Sequence, residues 1–228
     1  MLLNPHGRIF KTVNARLDFQ QRFAKKAFLD SWGADTRPSS SLIPFGMRGY
    51  NESKDKTTAG QTKYTPKCSE TLTIAVIEGM PSQDRLQRAL IESVSTATGC
   101  RVEIRFLEMG EYVKAQYSRR FDIYVHGLDT NSNDPLEFYR DFRPGVPENF
   151  LKLDDLAFGR AFEKAYYIPQ EQRSQEVYAA IAKAIDETNV VLVLGHPQFS
   201  FVFRKEVRSM HMNPLGMHLN RWWLIGRK

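Results

Sequence analysis

One polar loop near the middle of the chain places hydrogen-bonding side chains between a predicted strand and a predicted helix. Residues 121–126 alternate apolar and polar side chains, which predicts a half-buried strand that ends at Gly127. After the polar residues 128–133, Asp134 and Pro135 are typical of a helix N-terminus. In open α/β sheets, ligands bind at the carboxyl ends of strands. The pattern therefore predicts either a ligand-binding loop or an ordinary solvated connection.

The sequence shows no catalytic motif. Its five histidines have no metal-ligand spacing, and no Gly-rich phosphate loop is present. Residues 39–41 are serines, but they lack the Gly-x-Ser-x-Gly elbow of a serine nucleophile. Asp154 and Asp155 adjoin a predicted helix start, where carboxylates cap the helix and meet its dipole. The sequence therefore predicts a protein that is not an enzyme and needs no cofactor or metal, with a small-molecule enzyme as an alternative.

The composition is typical of a globular protein, with 228 residues of which 42% are hydrophobic and 25% charged. The net charge is +6, but Lys and Arg are scattered among acidic residues, so nucleic-acid binding is not predicted. No apolar run is long enough to cross a bilayer. Met1 to Leu3 are followed at once by Asn4 and Pro5, so no signal peptide is predicted.

Three predicted strands alternate with two predicted helices up to the polar loop. The strands cover residues 71–78, 101–107 and 121–126, and the helices cover residues 82–98 and 111–119. Apolar side chains on both faces of the first strand indicate a sheet that is covered on both sides. This β-α-β-α-β order predicts an α/β fold with a largely parallel sheet and right-handed crossovers.

Other predicted elements flank this unit. Residues 2–4 form a short strand, and residues 14–32 form a helix capped by Asn14. Two later helices begin at Asp154 and Pro169, and the apolar run 190–194 predicts a buried strand.

The two cysteines, Cys68 and Cys100, each lie just before a predicted strand. If the two strands are adjacent and parallel, both thiols lie at the same edge of the sheet and can form a disulfide. In an exported protein this bond would stabilise the fold by about 3–4 kcal/mol through loop closure. Two unlinked thiols remain the alternative. A zinc site is not predicted, because two cysteines alone do not complete its ligands.

The stretch around the polar loop resembles a block of the family 5 extracellular solute-binding proteins, the peptide-, dipeptide- and nickel-binding receptors of ABC importers. The residues that fit the frame of this block are Phe121, Asp122, Gly127, Asp134, Pro135 and Phe138. Leu128, Asn131 and Ser132 stand where the family usually has Trp, Asp and Tyr. In the peptide receptors of this family, the Asp at the position of Asn131 pairs with the ligand's α-ammonium. The neutral amide of Asn131 can hydrogen-bond a ligand, but it gives no charge-assisted pair.

Similar blocks cover nearly the whole chain. They include residues 28–30, 38–44, 153–156, 171–178, 190–194, 196–203, 213–216 and 222–225. The resemblance implies one lobe of a two-lobed periplasmic-binding-protein fold, namely the C-terminal lobe, with a largely parallel sheet flanked by helices. It also implies that residues 1–14 and 209–228 lie near the hinge to an N-terminal lobe that is missing from this chain.

The function implied by the resemblance is solute binding for an ABC importer. The expected partners are a small solute or oligopeptide, the membrane permease and the missing lobe, and the expected location is periplasmic or extracellular. Asn131 is the first candidate for ligand binding and Asp129 the second, followed by His126 and Asn133, for which a structural role is the alternative. The same lobe can also serve as the ligand-sensing domain of a cytoplasmic transcription regulator, which would keep the cysteine pair reduced.

Overall fold

The computed structural model describes residues 1–33, 35–51, 68–130, 132–198, 204–209 and 226–227. Its strands are β1 (Leu2–Leu3), β2 (Thr36–Pro38), β3 (Thr71–Ile77), β4 (Arg101–Leu107), β5 (Ile123–Val125), β6 (Gly195–Pro197), β7 (Val207–Ser209) and β8 (Gly226–Arg227). Its helices are α1 (Val13–Arg22), α2 (Lys25–Trp32), α3 (Gln83–Thr98), α4 (Met109–Ser118), α5 (Glu137–Arg140), α6 (Leu156–Tyr166) and α7 (Gln175–Thr188), with a 3-10 helix at Gln170–Gln172. Asn131 and the blocks at 199–203, 213–216 and 222–225 lie outside the described residues. Within the described ranges, no helix is long and apolar enough to span a membrane.

The central sheet has the strand order β1-β5-β3-β4. β3 pairs in parallel with β4 on one side and with β5 on the other, while β1 pairs antiparallel with β5. The short strand β1 and the helices α3 and α4 lie where the sequence predicts them. The predicted fold class, an α/β fold with a largely parallel sheet flanked by helices, is therefore confirmed.

The sheet is covered by a helical layer on each face. Leu72, Ile74 and Val76 of β3 pack in one apolar cluster with side chains of α1, α2 and α3. Ala75 and Tyr124 belong to a second cluster with side chains of α4, α6 and α7. Because Tyr124 is fully buried, β5 is covered on both faces, and the prediction of a half-buried strand is wrong.

The single helix predicted near the amino end of the chain is in fact two helices, α1 and α2. Thr12, not Asn14, caps α1. The helix ends at Phe23, whose backbone is extended. The Phe23 ring packs between those of Phe19 and Phe28, at centroid distances of 5.6 and 5.4 Å. Tertiary packing of these rings overrides the local helical pattern, which continues through the break.

The run 190–194 does not form the predicted strand. Val191 makes an isolated antiparallel bridge to Leu2, and the chain then pairs through β6 with β2. A Cβ atom on Gly195 would collide with the backbone of Arg37, so this close pairing requires glycine. The β2–β6 pair escapes sequence analysis because strands of three residues carry no periodicity.

Two predicted helix starts are also wrong. Asp155, not Asp154, caps α6, since its Oδ1 accepts a hydrogen bond from the Phe158 amide at 2.8 Å. The segment after Pro169 forms only a 3-10 turn, and α7 begins after the extended residue Arg173. A local pattern of polar residues does not select between neighbouring cap positions.

Candidate functional site

The candidate site is the polar loop 127–134, which follows β5 at the carboxyl end of the central sheet. Ile123 and Tyr124 of β5 are both fully buried. β5 runs parallel to β3, so the loop leaves the sheet at the edge where β3 also ends. A strand buried on both faces therefore gives this loop a rigid base.

His126 lies half-buried at the base of the loop. Its ring stacks on that of Tyr112 at 6.2 Å, with an angle of 3° between the ring planes, and Phe150 packs against it at 6.0 Å. The Nδ1 atom lies 3.1 Å from Nε2 of Gln116, which can donate a hydrogen bond to it. Burial is the main cause that lowers the pKa of His126 to about 4, and Asp129 opposes the shift. The imidazole is therefore neutral at pH 7.

The other predicted binding residues lie further along the loop. Asp129 is exposed, and no described residue hydrogen-bonds or ion-pairs with its carboxylate. Asn133 is also exposed, and its backbone carbonyl accepts a hydrogen bond from Nε2 of Gln170 at 2.8 Å. Asn131 lies outside the described residues. The structure thus places Asp129 and Asn133 in the exposed part of the loop, and half-buried His126 immediately before it.

The far end of the loop carries an ion pair that sequence reasoning missed. Asp134 is joined to Arg173, whose Nη1 lies 2.6 Å from each carboxylate oxygen. Only 6% of the Arg173 side chain and 20% of the Asp134 side chain are exposed. Burial by itself would lower the pKa of Arg173, but hydrogen bonding to Asp134 raises it overall. The resemblance places Asp134 and Arg173 in separate matching blocks, but no sequence pattern pairs them, because they are 39 positions apart along the chain.

Cys68 and Cys100 form a disulfide at the opposite, amino end of the sheet. They lie just before β3 and β4, which are adjacent and parallel, with Thr71 opposite Arg101. Cys100 is buried and Cys68 is half-buried. The disulfide is therefore remote from the candidate loop along the strand direction, and it belongs to the framework of the sheet.

Two surface cavities lie away from the candidate loop. One, of about 460 Å³, adjoins α7 and residues 40–42, and the other, of about 720 Å³, adjoins the junction of α1 and α2 and residues 191–193. Ser40 and Asp186 are among the described residues that line both cavities, whereas His126, Asp129 and Asn133 are not. Among the described residues, no group of three or more His, Cys, Asp or Glu side chains is placed to hold a metal ion.

The chain has the fold of one lobe of the periplasmic peptide-binding proteins. It is similar over 86% of its length to the murein tripeptide-binding protein MppA of Escherichia coli, with a TM-score of 0.72 and 14% identity. It is equally similar to OppA of Haemophilus influenzae, solved in complex with the peptide RPPGFSPFR, with a TM-score of 0.71 and 15% identity over 86% of the chain. In each case the match covers 41% of the solved chain.

Sequence comparison leads to the same class of protein. The chain is 24% identical, over 229 aligned positions and 93% of its length, to di/tripeptide-binding protein 2 of Pseudomonas aeruginosa. It spans 43% of that relative, so it covers less than half the length of the proteins it matches. No protein-family model matches the chain. These similarities confirm the resemblance to solute-binding receptors and are consistent with a single lobe.

Proposed function

We propose that the chain is the C-terminal lobe of the solute-binding receptor of an ABC importer, and that loop 127–134 forms its wall of the ligand cleft. The observation that carries this proposal is the position of the loop. It is a polar loop at the carboxyl end of a buried parallel strand, in a lobe with the fold of peptide-binding proteins. The proteins it resembles are named as binding proteins, and we propose the same kind of role here, without catalysis.

The chemistry of the loop suits a peptide-like solute. An exposed carboxylate such as that of Asp129 can pair with a cationic group, for example the α-ammonium of a peptide. The amides of Asn131 and Asn133 can donate to and accept from peptide groups. His126 is packed against Tyr112 and Phe150 at the base of the loop and is neutral at pH 7. It therefore supports the loop and adds no charge to it.

The proposal includes the partners of such a receptor. Two-lobed receptors enclose their solute by a hinge motion that brings the lobes together. The proposed partners are therefore an N-terminal lobe, with residues 1–14 and 209–228 near the hinge, and the membrane permease. One lobe supplies one wall of the cleft, and the other lobe supplies the opposite wall.

An exported setting, periplasmic or extracellular, is supported by the disulfide between Cys68 and Cys100. Structural disulfides persist in oxidising compartments and are rare in the cytosol. This favours an importer receptor over the sensing domain of a cytoplasmic regulator.

The test uses the full-length protein. Native mass spectrometry of the purified receptor should show a co-purified solute, and calorimetry with tri-alanine and other tripeptides should give saturable binding. Asp129→Asn should weaken tripeptide binding about tenfold, because a charge-assisted hydrogen bond is lost. Asp154→Asn, which changes another exposed aspartate, is the matched control and should bind like the unmodified protein. A receptor that carries no solute and gives no heat with any tripeptide would contradict the proposal.

A further inference from the structure

We propose that Arg173 is a positioning residue for the cleft loop. Its guanidinium binds the carboxylate of Asp134 and thereby restricts the conformation of loop 127–134. The inference rests on the proposed function, since it concerns the loop assigned to the ligand cleft. Arg173 lies outside the loop, in the connection between α6 and α7, and it need not touch the solute.

The guanidinium joins the ends of two helices. Its Nε donates to the backbone carbonyls of Ala165 and Ile168 at 2.9 Å, at the carboxyl end of α6. Its Nη1 contacts both oxygens of Asp134, and one of these oxygens also accepts from the Leu136 amide at 3.0 Å, just before α5. The cation at the carboxyl end of α6 matches the dipole of that helix.

The pair is specific to arginine. It is nearly excluded from water, with 6% of the Arg173 side chain exposed. Loss of the Asp134 carboxylate would leave Arg173 as an uncompensated buried charge. A lysine keeps the charge, but it cannot reach the carboxylate and both carbonyls with the same planar arrangement of donors.

A second contact fixes the same end of the loop to the same segment. Gln170 donates from Nε2 to the carbonyl of Asn133 at 2.8 Å. The segment is itself braced, because Nη1 of Arg48 donates to the carbonyls of Gln170 and Glu171 at 3.3 and 3.0 Å. Asn133 and Asp134 are thus tied to a supported junction.

In the near part of the loop, Leu128 packs against the second apolar cluster, but no hydrogen bond joins the described residues 127–130 and 132 to another described element. A Cβ added to Gly127 would meet no atom within 4 Å, and Asp129 is exposed. Ser132 is held only locally, since its amide donates to Oγ1 of Thr130 at 3.1 Å. The hydrogen bonds that attach the described part of the loop to neighbouring elements are therefore at its far end, where Arg173 acts.

The test is hydrogen exchange of the amides of residues 127–136 in the protein and in two variants, Arg173→Lys and Asp134→Asn. Asp134→Asn keeps an acceptor for the Leu136 amide and removes the charge pair. In both variants, exchange over 127–136 should be about tenfold faster, an increase that exceeds any change in β3 and α3.

Arg16→Lys is the matched control. Arg16 is also buried, and it donates to three backbone carbonyls, of Thr188, Phe10 and Lys11, but it makes no contact with the loop. This control should lower the free energy of unfolding without selectively accelerating exchange in the loop. If Arg173→Lys does not fold, Asp134→Asn alone decides. Unchanged loop exchange in that variant, or equal acceleration in Arg16→Lys, would overturn the proposal.

The affinity for tri-alanine separates this inference from the proposed function. In the full-length receptor, Asp134→Asn and Arg173→Lys should weaken binding several-fold while Arg16→Lys leaves it unchanged. If the unmodified receptor binds no peptide but the variants still loosen the loop, the positioning role stands and the proposed function fails. If the receptor binds tri-alanine and the variants neither loosen the loop nor weaken binding, the positioning role fails alone.

Discussion

At the amino end of the central sheet, the disulfide between Cys68 and Cys100 joins the segments that enter β3 and β4. Asn4 adds hydrogen bonds there, from its Nδ2 to the carbonyls of Arg119 and Phe121 at 3.0 and 2.9 Å. At the carboxyl end, the loop that follows β5 is attached to the neighbouring elements through Asn133 and Asp134.

This difference separates the cross-linked end of the sheet from the end that carries the proposed binding loop. The amino end is cross-linked and buried, so changes there should alter the free energy of unfolding. The carboxyl end holds exposed polar groups with few internal partners, so they remain available to a solute. Regions that bind ligands generally come from the less stable parts of a protein.

Removal of the disulfide should have the largest effect on stability. The double variant Cys68→Ser and Cys100→Ser loses a cross-link across a sequence separation of 32 residues. The free energy of unfolding should fall by about 3–4 kcal/mol, because the unfolded chain regains loop entropy. Urea titration under non-reducing conditions measures this, and an unchanged midpoint would show that the amino end does not depend on the cross-link.

Acidification should destabilise the protein through His126, at the carboxyl end. The pKa of this residue is about 4 in the folded protein, whereas an ordinary histidine titrates near 6.5. Between these pH values the unfolded state binds a proton that the folded state does not. The stability due to neutral His126 is thus fully present above pH 6.5 and is lost as the pH falls to about 4, by at most about 3 kcal/mol.

The control for this pH dependence is His126→Asn, which cannot titrate. Urea titrations at pH 7 and pH 4.5 should show a smaller loss of stability in the variant, since other groups titrate equally in both proteins. The same loss of stability in both proteins would refute the role of His126 in this pH dependence.

Replacement of two asparagines by alanine, one at each end of the sheet, should lower stability by different amounts. Asn4 is buried and hydrogen-bonds through both side-chain polar atoms, so Asn4→Ala should cost about 2 kcal/mol. Asn133 is exposed and uses its backbone carbonyl, so Asn133→Ala should change stability by less than about 0.5 kcal/mol. Thermal unfolding of both variants measures the two losses of stability, and equal shifts in Tm would contradict this difference between the ends of the sheet.

The smallest effect on stability is expected for Asp129→Asn. The carboxylate is exposed, so the free energy of unfolding should change by less than about 0.5 kcal/mol. If this variant lowers the free energy of unfolding by more than about 1 kcal/mol, Asp129 contributes to the stability of the fold. The carboxyl end would then not be limited to binding.

Sequence patterns predicted the alternation of strands and helices and the position of the polar loop. The apolar faces of β3 and the capping glycine after α3 are visible in a short window of residues. The break at Phe23 is not visible there, because it depends on ring contacts with neighbouring aromatic residues. The same holds for the contact of Asn4 with Phe121, which are 117 positions apart.

By itself, the sequence determined that a parallel α/β unit ends in a polar loop, since periodicity and capping are properties of neighbouring residues. Only the tertiary structure decided what that loop is attached to. Asp134 and Arg173 are 39 positions apart, and nothing near either residue along the chain indicates the other. Such an ion pair forms where folding brings the two charges together and limits their access to water, and that place is set by the packing of α5, α6 and α7.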